Sequence, residues 1–155
     1  MKRSKDRGVS LVELLVVIAI LAILSVMTFQ TFLKLNSTKA IETDAFRVLL
    51  ELQEARSLTV SSKNAHQYGV HFATTSVTLF EGASFDSASS TNVTTALNSA
   101  VVVASTTFTG AGVDVIFQRL TGETSESGTV TLSLVAASST SKTITIYKTG
   151  VAELQ

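Results

Sequence analysis

Glu13 stands alone as a charged side chain within residues 9–29, VSLVELLVVIAILAILSVMTF. A carboxylate in a bilayer-length apolar helix costs about 2.5–3.5 kcal/mol at mid-membrane and less near the interface, so it needs a partner. The chain can make that partner for itself. Gly8 separates the apolar run from a basic cluster of Lys2, Arg3, Lys5 and Arg7. Hydrolysis of the peptide bond after Gly8 would give Val9 a free α-amine. Glu13 would lie about one helical turn away, placed to neutralise that amine or a neighbour's.

Other chemistry is scarce. His66 and His71 are the only histidines, and neither a cysteine nor an acidic cluster accompanies them. Thiolate metal sites, disulfides and cysteine nucleophiles are therefore excluded. Val70 and Phe72 flank His71 and point to the opposite face of a strand, so His71 is expected to be solvated. The segment Gly110-Ala111-Gly112 lacks the third glycine and following helix of a dinucleotide site, and no lysine completes a P-loop. It reads as a turn. No nucleophile-elbow motif supports a serine triad. The tripeptides Asn36-Ser37-Thr38 and Asn92-Val93-Thr94 fit a glycosylation pattern that is common by chance. No catalytic residue, metal or cofactor is expected, and the chain does not read as an enzyme.

The elements that would position Glu13 follow from hydropathy and charge. Residues 9–29 number 21 and form a helix of about 31 Å, enough to cross a bilayer core. The preceding basic cluster should stay in the cytoplasm, which places the C-terminal domain outside it. A secretory signal peptide would have a shorter apolar run and an exit of small residues. This run is long and leads into an amphipathic helix instead. Residues 1–8 carry a net charge of +3, and the remaining chain carries −3. That mildly acidic remainder disfavours nucleic acid as a partner.

Neither glycine nor proline occurs between Gly8 and Gly69, so one helix is expected from about Val9 to about Val60. Ile41, Ala45, Val48, Leu49, Leu52 and Ala55 recur at helical spacing on one face. Phe46 and Leu50 are expected to widen that face. Asp44, Arg47, Glu51 and Glu54 are assigned to the opposite side, with Arg47 and Glu51 as an i,i+4 pair. Serine and threonine exceed a quarter of the chain, and beyond the helix the apolar period switches to two. Strands are expected around Val70, Val77, residues 101–103 (a buried strand), Val115, Val130, Ile144 and residues 151–154. Residues 84–99 and 121–128 read as loops. The fold class is α+β, a long N-terminal helix packed on a C-terminal antiparallel β domain. Its expected divisions are a leader (1–8), a transmembrane and assembly helix (9–34), an amphipathic half of that helix (35–62) and a β domain (63–155).

The stretch from Arg7 through Gly8, Val9 and Glu13 to Ile20 resembles the class III signal of type IV pilins and type II secretion pseudopilins. The resemblance implies that a prepilin peptidase cuts after Gly8 on the cytoplasmic side and methylates Val9, where phenylalanine is the commoner residue. Glu13 would then guide docking into a growing fibre of pilin-like subunits. Ala22 and Gln30 stand where major pilins often have glycine and proline, so an unbroken helix is expected through residues 28–34. More weakly, residues 54–62, 108–117, 128–132 and 144–151 resemble the helix end and sheet of minor pseudopilins of the GspH and FimT type. What this implies is a single-pass inner-membrane protein with a periplasmic or extracellular C-terminal domain, taken up into a pilus or pseudopilus.

Two functions are open to such a chain. One is a structural minor subunit that assembles through its N-terminal helix. The other is a competence-type minor pilin that contacts DNA during uptake, which needs a basic patch; Lys63, Arg119, Lys142 and Lys148 are its candidates. Processing is common to both. Co-expression with a prepilin peptidase should yield a mature chain beginning at Val9 by intact-mass analysis, and Gly8→Ala should slow the cut. An unprocessed chain, or a cut beyond Ser25, would contradict the class III signal.

Overall fold

The computed structural model describes residues 10–155, with residues 26–35 described by their helical backbone alone. Two compact units emerge, residues 1–36 and 37–155. The first contributes the beginning of a single helix, α1 (Leu11–Val60), whose backbone is helical throughout residues 28–34. Among the described residues no helix is long and apolar enough to cross a membrane. The apolar side chains are described only through residue 25, about 22 Å of helix, which falls short of a hydrocarbon core of about 30 Å. The transmembrane segment expected over residues 9–34 thus lies partly outside the described residues.

In the second unit α1 buries a stripe of Ile41, Asp44, Ala45, Val48, Leu52, Ala55 and Thr59. Successive residues turn about 100°, which puts Phe46 and Leu50 some 160° from Val48 on either side. Both are accordingly exposed and do not widen the core face as expected. The same geometry puts Asp44 about 40° from Val48, so this carboxylate is buried and not on the solvent side. The expected Arg47–Glu51 pair is replaced. Arg47 Nη1 lies 3.6 Å from Asp44 Oδ1, and Glu51 Oε1 accepts a 2.6 Å hydrogen bond from Thr95 Oγ1.

The helix stops without a glycine. Ser62 and Asn64 take positive φ (51° and 54°), reversing the chain into a 3-10 turn at Lys63–Ala65. Eight strands follow among the described residues: β1 (Tyr68–Phe72), β2 (Ser76–Glu81), β3 (Val93–Ala96), β4 (Val101–Phe108), β5 (Asp114–Ile116), β6 (Gly128–Leu134), β7 (Ala137–Ile146) and β8 (Ala152–Leu154). They form two antiparallel sheets, ordered β3-β2-β1-β5 and β4-β6-β7-β8. Strand β3 lies inside the segment expected to be a loop over 84–99, which brings the expected seven strands to eight. Its four residues are almost wholly exposed, so no apolar alternation marks it. Of the expected buried run at 101–103, only Val101 is fully buried.

Both sheets and the helix stripe share one core. It includes Val70, Phe72, Val77, Val115, Phe117, Val130, Leu132, Ile144 and Ile146. Phe72 and Phe108 join the sheets, with ring centroids 5.6 Å apart. Gly69 is required by packing. A Cβ there would lie 2.6 Å from Phe80 Cζ and 2.8 Å from the Val115 carbonyl oxygen.

Asp44 Oδ2 accepts a 2.7 Å hydrogen bond from the Asn98 backbone N–H, fastening the turn between β3 and β4 to the helix. Leaving a buried donor unpaired costs about 1–3 kcal/mol. Asp44→Ala should lower unfolding stability by about that amount in a denaturant titration. Arg47→Ala should change it by less than about 1 kcal/mol, because its side chain is exposed. Equal losses from the two substitutions would contradict the anchoring role of Asp44.

Candidate functional site

The first turn of α1 presents Glu13 at the end of an exposed apolar surface. The ladder of hydrogen bonds begins with Leu14 N–H donating to the Ser10 carbonyl at 3.1 Å. An acid in this turn also interacts favourably with the positive end of the helix dipole. Around Glu13, the residues Leu11, Val12, Leu14, Leu15, Val16, Val17, Ile18, Ile20, Leu21, Ile23 and Leu24 are all exposed, by 48–73%. Their positions cover every side of the helix. A helix apolar all round needs lipid or other protein surfaces against it. Gly8 and Val9, the expected processing pair, lie outside the described residues. The distance between the Val9 amine and Glu13 therefore belongs to the sequence reading alone.

The second unit brings together other polar groups, and several differ from expectation. His71 is largely covered and only partly exposed to solvent. Its Nδ1 lies 2.6 Å from Asp114 Oδ1, and its ring stacks on Phe85 with centroids 3.8 Å apart and planes within 6°. Phe85 also meets Phe80 edge-on at 5.5 Å. Register explains the row, because His71 faces Asp114 on β5 and Thr78 on β2, and Thr78 faces Thr94 on β3. His66 Nε2 lies 3.7 Å from Glu81 Oε1. Among the described residues, no three or more histidine, cysteine or acidic side chains gather where they could hold a metal.

Sequence reasoning also missed the side chains that tie the helix to distant loops. Thr59 Oγ1 donates to the Ala55 carbonyl at 2.8 Å and accepts from Tyr68 N–H at 2.9 Å. Its place four residues after Ala55 on the buried stripe was the available signal. Arg56 Nε donates to the Gly122 carbonyl at 3.2 Å, and Nη2 to the Thr149 carbonyl at 3.3 Å. Glu126 Oε2 accepts from Thr124 Oγ1 at 3.0 Å and from Ile116 N–H at 3.3 Å, covering the outer edge of β5.

Two of the basic candidates are well separated along the chain. Lys142 and Lys148 are six residues apart on and just past β7, about 20 Å in extended chain. Glu42 feels the charge of Lys142 and accepts a 2.8 Å hydrogen bond from Lys39 Nζ. That bond raises the Lys39 ammonium above its usual range and lowers the Glu42 carboxyl.

Residues 3–29 match the family described as the prokaryotic N-terminal methylation motif. This supports a type IV pilin-like kinship for the N-terminal segment, which contains Gly8, Val9 and Glu13. No curated protein and no solved structure matches the chain.

Tyr68 offers a check on the packing beneath the helix end. Burial raises its phenol above the usual 10.0, the nearby Glu81 charge adds to the shift, and a hydrogen bond from Asn64 opposes it. A raised folded value means that the stabilising contribution is complete below pH 10.0. It is lost as pH climbs through the folded value. Thermal melts should therefore fall above about pH 10 in the wild type. Tyr68→Phe should flatten that alkaline decline, and an unchanged slope would contradict the burial of the phenol.

Proposed function

We propose that this protein is a minor pilin-like structural subunit that assembles through its N-terminal helix into a type II secretion pseudopilus or a type IV pilus. One observation carries the reading: the methylation motif over residues 3–29 overlaps a helix that is apolar on every side except for Glu13 in its first turn. A prepilin peptidase would remove residues 1–8 and methylate Val9. The mature subunit would be held in the inner membrane by the helix, its β domain on the outer side. The Glu13 carboxylate, meeting the α-amine of Val9 or of an adjacent subunit in a low-dielectric setting, would then set the axial position of each new helix. Apolar side chains all round the helix supply contact area against several neighbours at once.

Catalysis has no part in this reading, which assigns the β domain to the surface or tip of the fibre. DNA contact is the weaker alternative. Net charge after processing is −3, and the separation of Lys142 from Lys148 works against a concentrated field.

Glu13→Ala should leave the thermal melt of the β domain unchanged and sharply reduce recovery of the protein in sheared fibre fractions. Equal incorporation of mutant and wild type would remove the assembly role. In parallel, the detergent-solubilised processed chain should show no salt-sensitive binding to short duplex or single-stranded DNA by fluorescence anisotropy. Micromolar binding that disappears in Lys142→Ala/Lys148→Ala would favour the DNA-uptake reading instead.

A further inference from the structure

Strand β8 ends its sheet with an open edge. In its pairing with β7, Tyr147 N–H donates to the Val151 carbonyl at 2.9 Å and Gln155 N–H to the Thr143 carbonyl at 2.8 Å. Antiparallel ladders alternate, so the N–H and C=O groups of Ala152 and Leu154 point away from β7. Among the described residues no backbone or side-chain group bonds to these outward groups. Unpaired edges of this kind are templates for another strand.

A groove of about 530 Å³ adjoins β8 at Val151 and Ala152, between this strand and the last turns of α1. Arg56, Ser57, Val60 and Ser61 form the helix wall. Its volume falls within the range of small-ligand sites, about 300–1,000 Å³. Val60 and Val151, each 41% exposed, supply apolar walls. No carboxylate lines the groove, and Arg56 makes no ion pair among the described residues. Its two hydrogen bonds go to neutral carbonyls, which orient the guanidinium and leave its charge unmatched. An unmatched, oriented guanidinium favours a carboxylate partner.

We propose that this groove docks an extended peptide segment of a partner protein, which adds as a strand to β8 and presents an acidic side chain to Arg56. The backbone ladder would supply affinity without regard to sequence, and Arg56 would select the charge. Successive side chains of a strand point to opposite faces, so Val60 and Val151 take the small or β-branched side chains two residues before and two residues after the acid. This contact uses the last turns of α1 and β8 and none of the segment around Glu13, so it stands or falls apart from the assembly role of Glu13.

The test uses the full-length protein in detergent and three fluorescein-labelled hexapeptides, TVTETV, TVTQTV and TVTKTV. The acidic peptide should bind with micromolar affinity, at least tenfold more tightly than the glutamine form, and salt should erode that difference. The lysine form should not bind. Arg56 also holds two loops, so Arg56→Gln could act through folding; Ser57→Glu avoids this by placing a carboxylate in the groove from an exposed helix position. Ser57→Glu should abolish binding with an unchanged melt, and Ser57→Ala should retain it. Equal binding of acidic and glutamine peptides, or binding indifferent to Ser57→Glu, would overturn the proposal. Self-association of the chain that Ser57→Glu abolishes, with no peptide binding, would overturn it in favour of a second copy as occupant.

Discussion

Everything in the β domain is arranged around one stripe of α1. Ile41, Ala45, Val48, Leu52 and Ala55 are buried to within 1% of complete exclusion from solvent, and strands from both sheets pack into the same core. Truncating one such residue as large as Leu52 to alanine typically costs about 2–5 kcal/mol. Two four-stranded sheets with largely polar outer faces have little else to pack against. The stripe is narrow because its residues are spaced by three and four, and the opposite side of the helix is left for other uses.

Apolar packing fixes the position of the helix only loosely, and polar side chains refine it. Asp44 grips Asn98, Glu51 grips Thr95, Thr59 grips Tyr68 and Arg56 grips Gly122 and Thr149. Each bond leaves the helix at a different level and captures a different loop or strand. A register slip along α1 would break all of them together. The first turns of the same helix, from Leu11 to Leu24, have a different design, apolar on all sides with one carboxylate, which suits burial among equivalent surfaces and not against one sheet.

The elements with strong periodicity were legible in the sequence. The long helix needed only the absence of glycine and proline, and β6 was clear from Val130, Leu132 and Leu134 alternating with threonine and serine. Strand β3 was not, because at the sheet edge it buries almost nothing and its Ser/Thr/Asn-rich setting imitates a loop. Asp44 was assigned to solvent on residue type, although its angle from Val48 places it over the core. Phe46 and Leu50 were misassigned for the converse reason, since apolar character was given more weight than a rotation of about 160°. His71 lost its solvent to Phe85, a long-range contact from a segment without periodic signal. At the N-terminus, the exposed apolar surface around Glu13 and the methylation motif were legible because the signal there is chemical and local.

The span of the Arg56 contacts bears on how the chain reaches this state. Its acceptors lie 66 and 93 residues further along the sequence. The loops that hold them also interlock, since a Cβ on Gly150 would fall 1.8 Å from the Gly122 carbonyl oxygen. A chain leaving the ribosome from its N-terminus completes α1 long before either acceptor exists. Contacts of such high sequence separation close late and slowly. During synthesis the first sheet can cover part of the α1 stripe early, but the second sheet stays incomplete until β6, β7 and β8 have emerged. Arg56 gains its second acceptor only once Thr149 has emerged.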